Sequence, residues 1–257
     1  ALRGSGSLVP TLRAGGYLTV GFVPRFLYPE APAAFDASVF HDENARGAEV
    51  AGLQKAFFRR LWAVRVLPLA LTESLARSRL LAVDPAMAEG RSSTFAQPVV
   101  SLLTMERLLR LEPTLPARGR YTLVHLLLPH NPYLLRSDCS FTGMQLSDLR
   151  QQTECTLLLV DRFLALLQQL GRLDGAVVLI QGDHGSGQLL VDRRLVPGEA
   201  EGLHTLLLVH VPGARGPLRD TGRPARIVDV APTLLALAGV GGGEAMEGRP
   251  LLRREGY

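Results

Sequence analysis

AVVLIQGDHG, residues 176–185, runs from a block of apolar side chains into an acid and a histidine bracketed by glycines. A near-continuous apolar run of this length suits a strand covered on both faces. Adjacent strand residues point to opposite faces, so Asp183 and His184 can share one target only where the strand has ended. Gly182 and Gly185 supply that ending, because glycine adopts backbone angles that other residues resist. A carboxylate and an imidazole side by side are good donors for a divalent metal ion. The plainer reading is an Asp–His pair that only caps a loop.

Three further segments read as buried strands: 17–23 (YLTVGFV), 121–128 (YTLVHLLL) and 205–211 (TLLLVHV). Between them lie stretches with apolar residues at helical spacing. These are 48–64, 98–111 with Pro98 in a first turn, 147–170 ended by Gly171, and 228–238 with Asp229 as N-cap and Gly239 at its end. Strand–helix alternation over most of a 257-residue chain predicts an α/β layered sheet. Sites in such sheets form at the carboxyl ends of strands. LPHNPY (128–133) and GDHG (182–185) both follow strands, so they are expected on one edge despite the roughly 50 residues between them. Residues 213–226, rich in Gly, Pro and Arg, read as a surface loop.

Composition narrows the choices. Hydrophobic residues make up 47% and charged residues 20%, with a net charge of +4. Lys55 is the single lysine, and the arginines are scattered. No block of like charge suits a nucleic-acid arm, so nucleic acid is not an expected partner. No stretch reaches the roughly 18 apolar residues of a membrane span. There is no P-loop, no dinucleotide fingerprint and no G-x-S-x-G elbow.

His130 stands between Pro129 and Pro132, which restrict the backbone on both sides. A histidine held this way suits contact with an oxyanion or proton donation, or simple packing in a rigid turn. His204 precedes a strand and reads as either a site residue or a loop residue. His125 and His210 lie within strands and read as core histidines. His41 is near acids without metal spacing. Asp161 reads as a partly buried polar contact in a helix, Asp174 as a turn residue, and Asp229 as a cap rather than a ligand. Cys139 and Cys155 are the only cysteines, either a disulfide or two separate buried thiols.

Taken in order, LPHNPY, LGRLDGAVVLIQGDHG (170–185), TLLLVHVPG (205–213) and RIVDVAPTLLALAGV…EGRPLL (226–252) resemble the sulfatase-like branch of the alkaline phosphatase superfamily. The resemblance covers roughly residues 15–252. It is closest to bacterial membrane-anchored enzymes such as lipoteichoic acid synthases and lipid phosphoethanolamine transferases. It implies a three-layer α/β/α sandwich with a mostly parallel central sheet, here a single domain over residues 1–257. It also implies a metal-dependent phosphoester or sulfoester hydrolase or transferase acting at the periplasmic or extracellular face of the membrane. The alternative is a non-catalytic module of the same fold that binds an anionic headgroup or a partner protein.

On this resemblance Asp183 and His184 are metal ligands, for zinc, manganese, calcium or magnesium. His130 is catalytic and faces the transferring group. His130, Asn131 and His204 bind a phosphate- or sulfate-ester substrate, with lipid headgroups among the candidates. A membrane anchor in the full-length protein and a Cys139–Cys155 disulfide are implied in the same way. The family places its first metal acid and its Thr, Ser or modified Cys nucleophile ahead of the segment matching LRAGGYLTV (12–20). No acid precedes Glu30 here, and Ser5 and Ser7 stand too late for that nucleophile. The expectation is therefore a domain without its first strand and nucleophile segment, inactive alone.

Overall fold

The run 17–23 forms strand β1, Leu18–Phe22, buried from Thr19 onward. In a computed structural model of the chain, describing residues 7–24, 27, 28, 30–39, 92–142, 147–185, 188–191, 194–197 and 205–252, β1 is the centre of a three-stranded sheet. Its neighbours are β2, Ala37–Val39, and β3, Arg120–Val124, both parallel to it. Val20 pairs with Ala37 on one side and Thr122 on the other. The expected helix over 48–64 and the residues His41 and His204 lie outside the described residues. The protein is of the α/β class. The chain forms two compact units, Leu18–Leu166 and Ala1–Tyr17 with Leu167–Tyr257.

In the first unit, parallel strands require crossovers. Helix α2, Ala31–Ala34, lies between β1 and β2, and helix α3, Ser92–Leu111, between β2 and β3. The core gathers Val20 and Phe22 from β1 with Met105 and Leu108 of α3. Leu128 and Leu135 join them, as do Cys155 and Leu159 of helix α4, Leu149–Gln169. Phe22 and Leu135 are wholly buried, and each such side chain contributes about 1.5–3 kcal/mol through apolar burial. Gly21 is required for this packing, since a Cβ there would stand 2.9 Å from the Phe35 ring.

β3 is shorter than the apolar run 121–128. Its ladder ends because β1 ends: His125 N–H still donates to Phe22 O, but Leu127 N–H donates to the buried Ser101 hydroxyl of α3. α3 starts six residues ahead of Pro98, so that proline is interior rather than in the first turn. Its ring is fully buried, which offsets the backbone hydrogen bond that proline cannot donate. α4 begins where the Asp148 carboxylate caps it, accepting both the backbone N–H and the side-chain amide of Gln151. That bond, with Arg150 nearby, holds the Asp148 carboxyl below the ordinary range.

In the second unit, helix α1, Leu8–Ala14, contacts helix α5, Val230–Ala238. The Tyr17 hydroxyl donates to Ala238 O near the end of α5. Strand β4, Val178–Gln181, pairs with β7, Leu207–His210, while β5, Gln188–Val191, pairs with β6, Arg194–Pro197. Both pairs are antiparallel. Parallel pairing is thus confined to β1, β2 and β3 among the described strands. Gly239 ends α5 with φ +70°, as its sequence position suggests.

Asp229 is a cap, but not of α5. Its carboxylate, 1% exposed as a residue, accepts N–H groups from Arg226 and from Arg249, twenty residues on. Thr233 donates to Asp229 O and accepts from Leu251 N. The EGRPLL segment is thereby tied to the start of α5. Gly248 permits the tie, because a Cβ there would collide with the Val228 carbonyl. Among the described residues no helix is long and apolar enough to cross a membrane.

Candidate functional site

β4 delivers Asp183 and His184 immediately past its last residue, Gln181. Antiparallel pairing with β7 sets the turn beside the residues preceding that strand. Gly182 N–H donates to Leu206 O, and a Cβ on Gly182 would collide with the Thr205 hydroxyl. Gly182 is therefore favoured by a close approach to Thr205 rather than by the unusual backbone angles expected of it, since its φ is not positive.

Asp183 and His184 are brought together. His184 Nε2 lies 3.8 Å from Asp183 Oδ1, with the two side chains 62% and 68% exposed. Asp183 Oδ1 also accepts the His184 backbone N–H at 3.0 Å. His184 Nδ1 stands 2.7 Å from Gly185 O. A carbonyl only accepts, so Nδ1 carries the proton and Nε2 keeps its lone pair, facing solvent. This is the ring state that a metal-bound histidine needs, with its second nitrogen held by an outer hydrogen bond. The 3.8 Å separation is shorter than the roughly 4.1 Å sum of two metal–ligand bonds, so one ion can touch both atoms. Among the described residues no three His, Cys, Asp or Glu side chains surround a common point. The pair is two donors of a set that ordinarily has at least three from protein.

His130 and Asn131 belong to the other unit. His130 is exposed, and its Nδ1 donates to the Asn131 carbonyl, again leaving Nε2 bare. The peptide bonds ahead of Pro129 and Pro132 are both cis. The loop beyond is pinned to α4 by the Cys139–Cys155 disulfide, which resolves the two readings of these cysteines.

Sequence reasoning passed over Gln152. It sits in the first turns of α4, is fully buried, and binds the backbone of residues 129–135 through both ends of its amide. A buried glutamine on the apolar side of a helix, three residues before a cysteine, was the only available signal.

His125, His210 and Asp174 have structural partners, whereas Asp161, expected as a partly buried polar contact, is exposed on α4. His125 Nδ1 meets the Tyr28 hydroxyl at 2.8 Å, with the rings edge to face. His210 Nε2 donates to Leu173 O. Asp174 takes both guanidinium nitrogens of Arg215, which keep its carboxyl below the usual range. These contacts tie the opening of β4 to the end of β7, away from GDHG.

No family model matches the chain. Three curated proteins share part of it. A 2,3-bisphosphoglycerate-independent phosphoglycerate mutase of Ruegeria sp. (strain TM1040) is 40% identical over 78 residues, 30% of this chain and 15% of the relative. The protein of the same name from Gluconobacter oxydans (strain 621H) is 41% identical over 93 residues, 33% of this chain and 17% of the relative. An arylsulfatase of Volvox carteri is 35% identical over 101 residues, 36% of this chain and 16% of the relative. The matches thus span about a sixth of the length of each relative. Both kinds of enzyme are members of the alkaline phosphatase superfamily.

Proposed function

We propose that this chain carries part of a metal-dependent site for hydrolysis or transfer of a phosphate or sulfate ester, acting outside the cytoplasmic membrane. The observation that carries the reading is the pair at the end of β4. Asp183 Oδ1 and the bare Nε2 of His184 stand 3.8 Å apart in solvent, and the ring is already in its metal-binding tautomer. The partial matches to a mutase named for phosphoglycerate and to an arylsulfatase support phosphoryl or sulfuryl chemistry. The disulfide supports an oxidising compartment.

Asp183 and His184 would hold a divalent ion (zinc, manganese, calcium or magnesium), which when bound activates the nucleophile and neutralises charge on the transferring group. His130 serves that group with Nε2, which donates to an oxyanion when the ring is protonated and accepts a proton when it is neutral. Asn131 and His204 complete the binding of the ester, a lipid headgroup among the candidates. A site of this kind needs a further ligand and a nucleophile beyond the described residues.

The test is metal analysis of the full-length protein after loading with each of the four ions, paired with turnover of p-nitrophenyl phosphate, a p-nitrophenyl phosphodiester and p-nitrophenyl sulfate. Stoichiometric metal with turnover of one ester establishes the reading and its substrate class. Metal without turnover points to a narrower substrate such as a headgroup donor. Neither metal nor turnover removes the reading and leaves a non-catalytic module that binds an anionic headgroup or a partner protein.

A further inference from the structure

We propose that Gln152 is a positioning residue for His130, acting through the backbone of the loop at 129–135. The inference rests on the reading of His130 as the group facing the ester.

Pro129 and Pro132 have no N–H, so this stretch offers few donors to a sheet or turn of its own. Its carbonyls still need partners. The Gln152 side chain supplies them from α4. Its Nε2 donates to His130 O at 2.6 Å and lies 3.3 Å from both Pro129 O and Pro132 O. Its Oε1 accepts from Leu134 N at 2.9 Å and Leu135 N at 3.2 Å. The amide can be placed only one way round, because carbonyls demand its nitrogen and N–H groups demand its oxygen. One fully buried side chain thus holds the backbone on both sides of His130 and Asn131.

The neighbourhood makes this tie specific. Cys155 lies three residues along α4 and Leu159 seven, so Gln152, Cys155 and Leu159 share a helical face, and all are buried. The disulfide from Cys155 to Cys139 holds the far part of the loop, and Gln152 holds the near part. His130 is exposed at the near part, its Nδ1 bound to Asn131 O. Neither ring nitrogen of His130 touches α4. Its aim is inherited from the backbone that Gln152 fixes.

The deciding measurement is the nitrogen spectrum of the histidine rings in the full chain, compared between wild type, Gln152→Met and Gln152→Asn. Methionine keeps the volume and loses every hydrogen bond; asparagine keeps an amide one methylene too short to span both sides. In whichever variant folds, the His130 ring is expected to lose its Nδ1–H pattern while the His125 and His210 rings stay unchanged. A folded variant with an unchanged His130 ring overturns the proposal. In the wild type the Gln152 side-chain amide protons should exchange far more slowly than those of exposed Gln169, and equal exchange rates would also overturn it. Turnover separates this inference from the reading beneath it. If His130→Ala lowers kcat on p-nitrophenyl phosphate, Gln152→Met should lower it about 10- to 100-fold, with little further loss in the double variant. Full turnover by His130→Ala removes the catalytic reading of His130, while the ring spectra still decide its positioning.

Discussion

His184 Nε2 and Asp183 Oδ1 face each other across 3.8 Å at the end of β4, with the imidazole proton drawn to the opposite nitrogen by the Gly185 carbonyl. Two donors from adjacent residues converge only because the strand has ended. Within β4 they would point to opposite faces. Both side chains are largely exposed, so their removal costs the fold little.

Asp183→Ala with His184→Ala is therefore expected to abolish metal binding while leaving the melting temperature within a degree or two of wild type. Each single variant should lose more affinity than the roughly 10- to 100-fold typical of losing a group that only orients a ligand. Calorimetric titration of the full-length protein with zinc and manganese checks this. Undiminished affinity in the double variant would leave GDHG as a strand-end turn.

The disulfide gives a second expectation. It closes a 16-residue separation between Cys139 and Cys155, for which chain entropy gives about 3 kcal/mol. Cys139 is also the one described non-glycine residue with positive φ, at +63°, a conformation that costs about 1–2 kcal/mol and that the cross-link holds in place. Cys139→Ser with Cys155→Ser should lower stability by about 2–4 kcal/mol in urea unfolding. Dithiothreitol should have the same effect on the wild type and none on the variant.

Asp229 gives a pH dependence. Its carboxyl is held below the ordinary range, chiefly by the N–H of Arg249, with further help from Arg226 against the opposing effect of burial. A carboxyl depressed on folding stabilises the native state above its unfolded value, near pH 4, and that contribution is lost as pH falls through the native value. Asp229→Asn should be less stable at pH 7 by about 1.5–3 kcal/mol, the scale of a hydrogen bond to a charged group. The gap should close on acidification toward pH 3. Urea melts of both proteins across that range decide it, and a constant gap would remove the carboxylate's role.

Local rules made much of this protein legible from its residues. The strand end at Gln181 and the stop of α5 at Gly239 follow from an apolar run and a glycine, whose effects act within a few positions. The pairing of Asp183 with His184 follows from the same rules, because the two are neighbours in the chain. Tertiary structure alone decided the rest. β3 stops at Val124 because β1 runs out and Ser101 takes the next N–H. Pro98 sits inside α3 because its ring is buried there. Asp229 reaches Arg249 instead of capping α5, and Gln152 organises a loop some twenty residues away. Except at Pro98, where an apolar ring is buried, a polar group had to be satisfied, and its partner was chosen by proximity in the folded chain rather than along it.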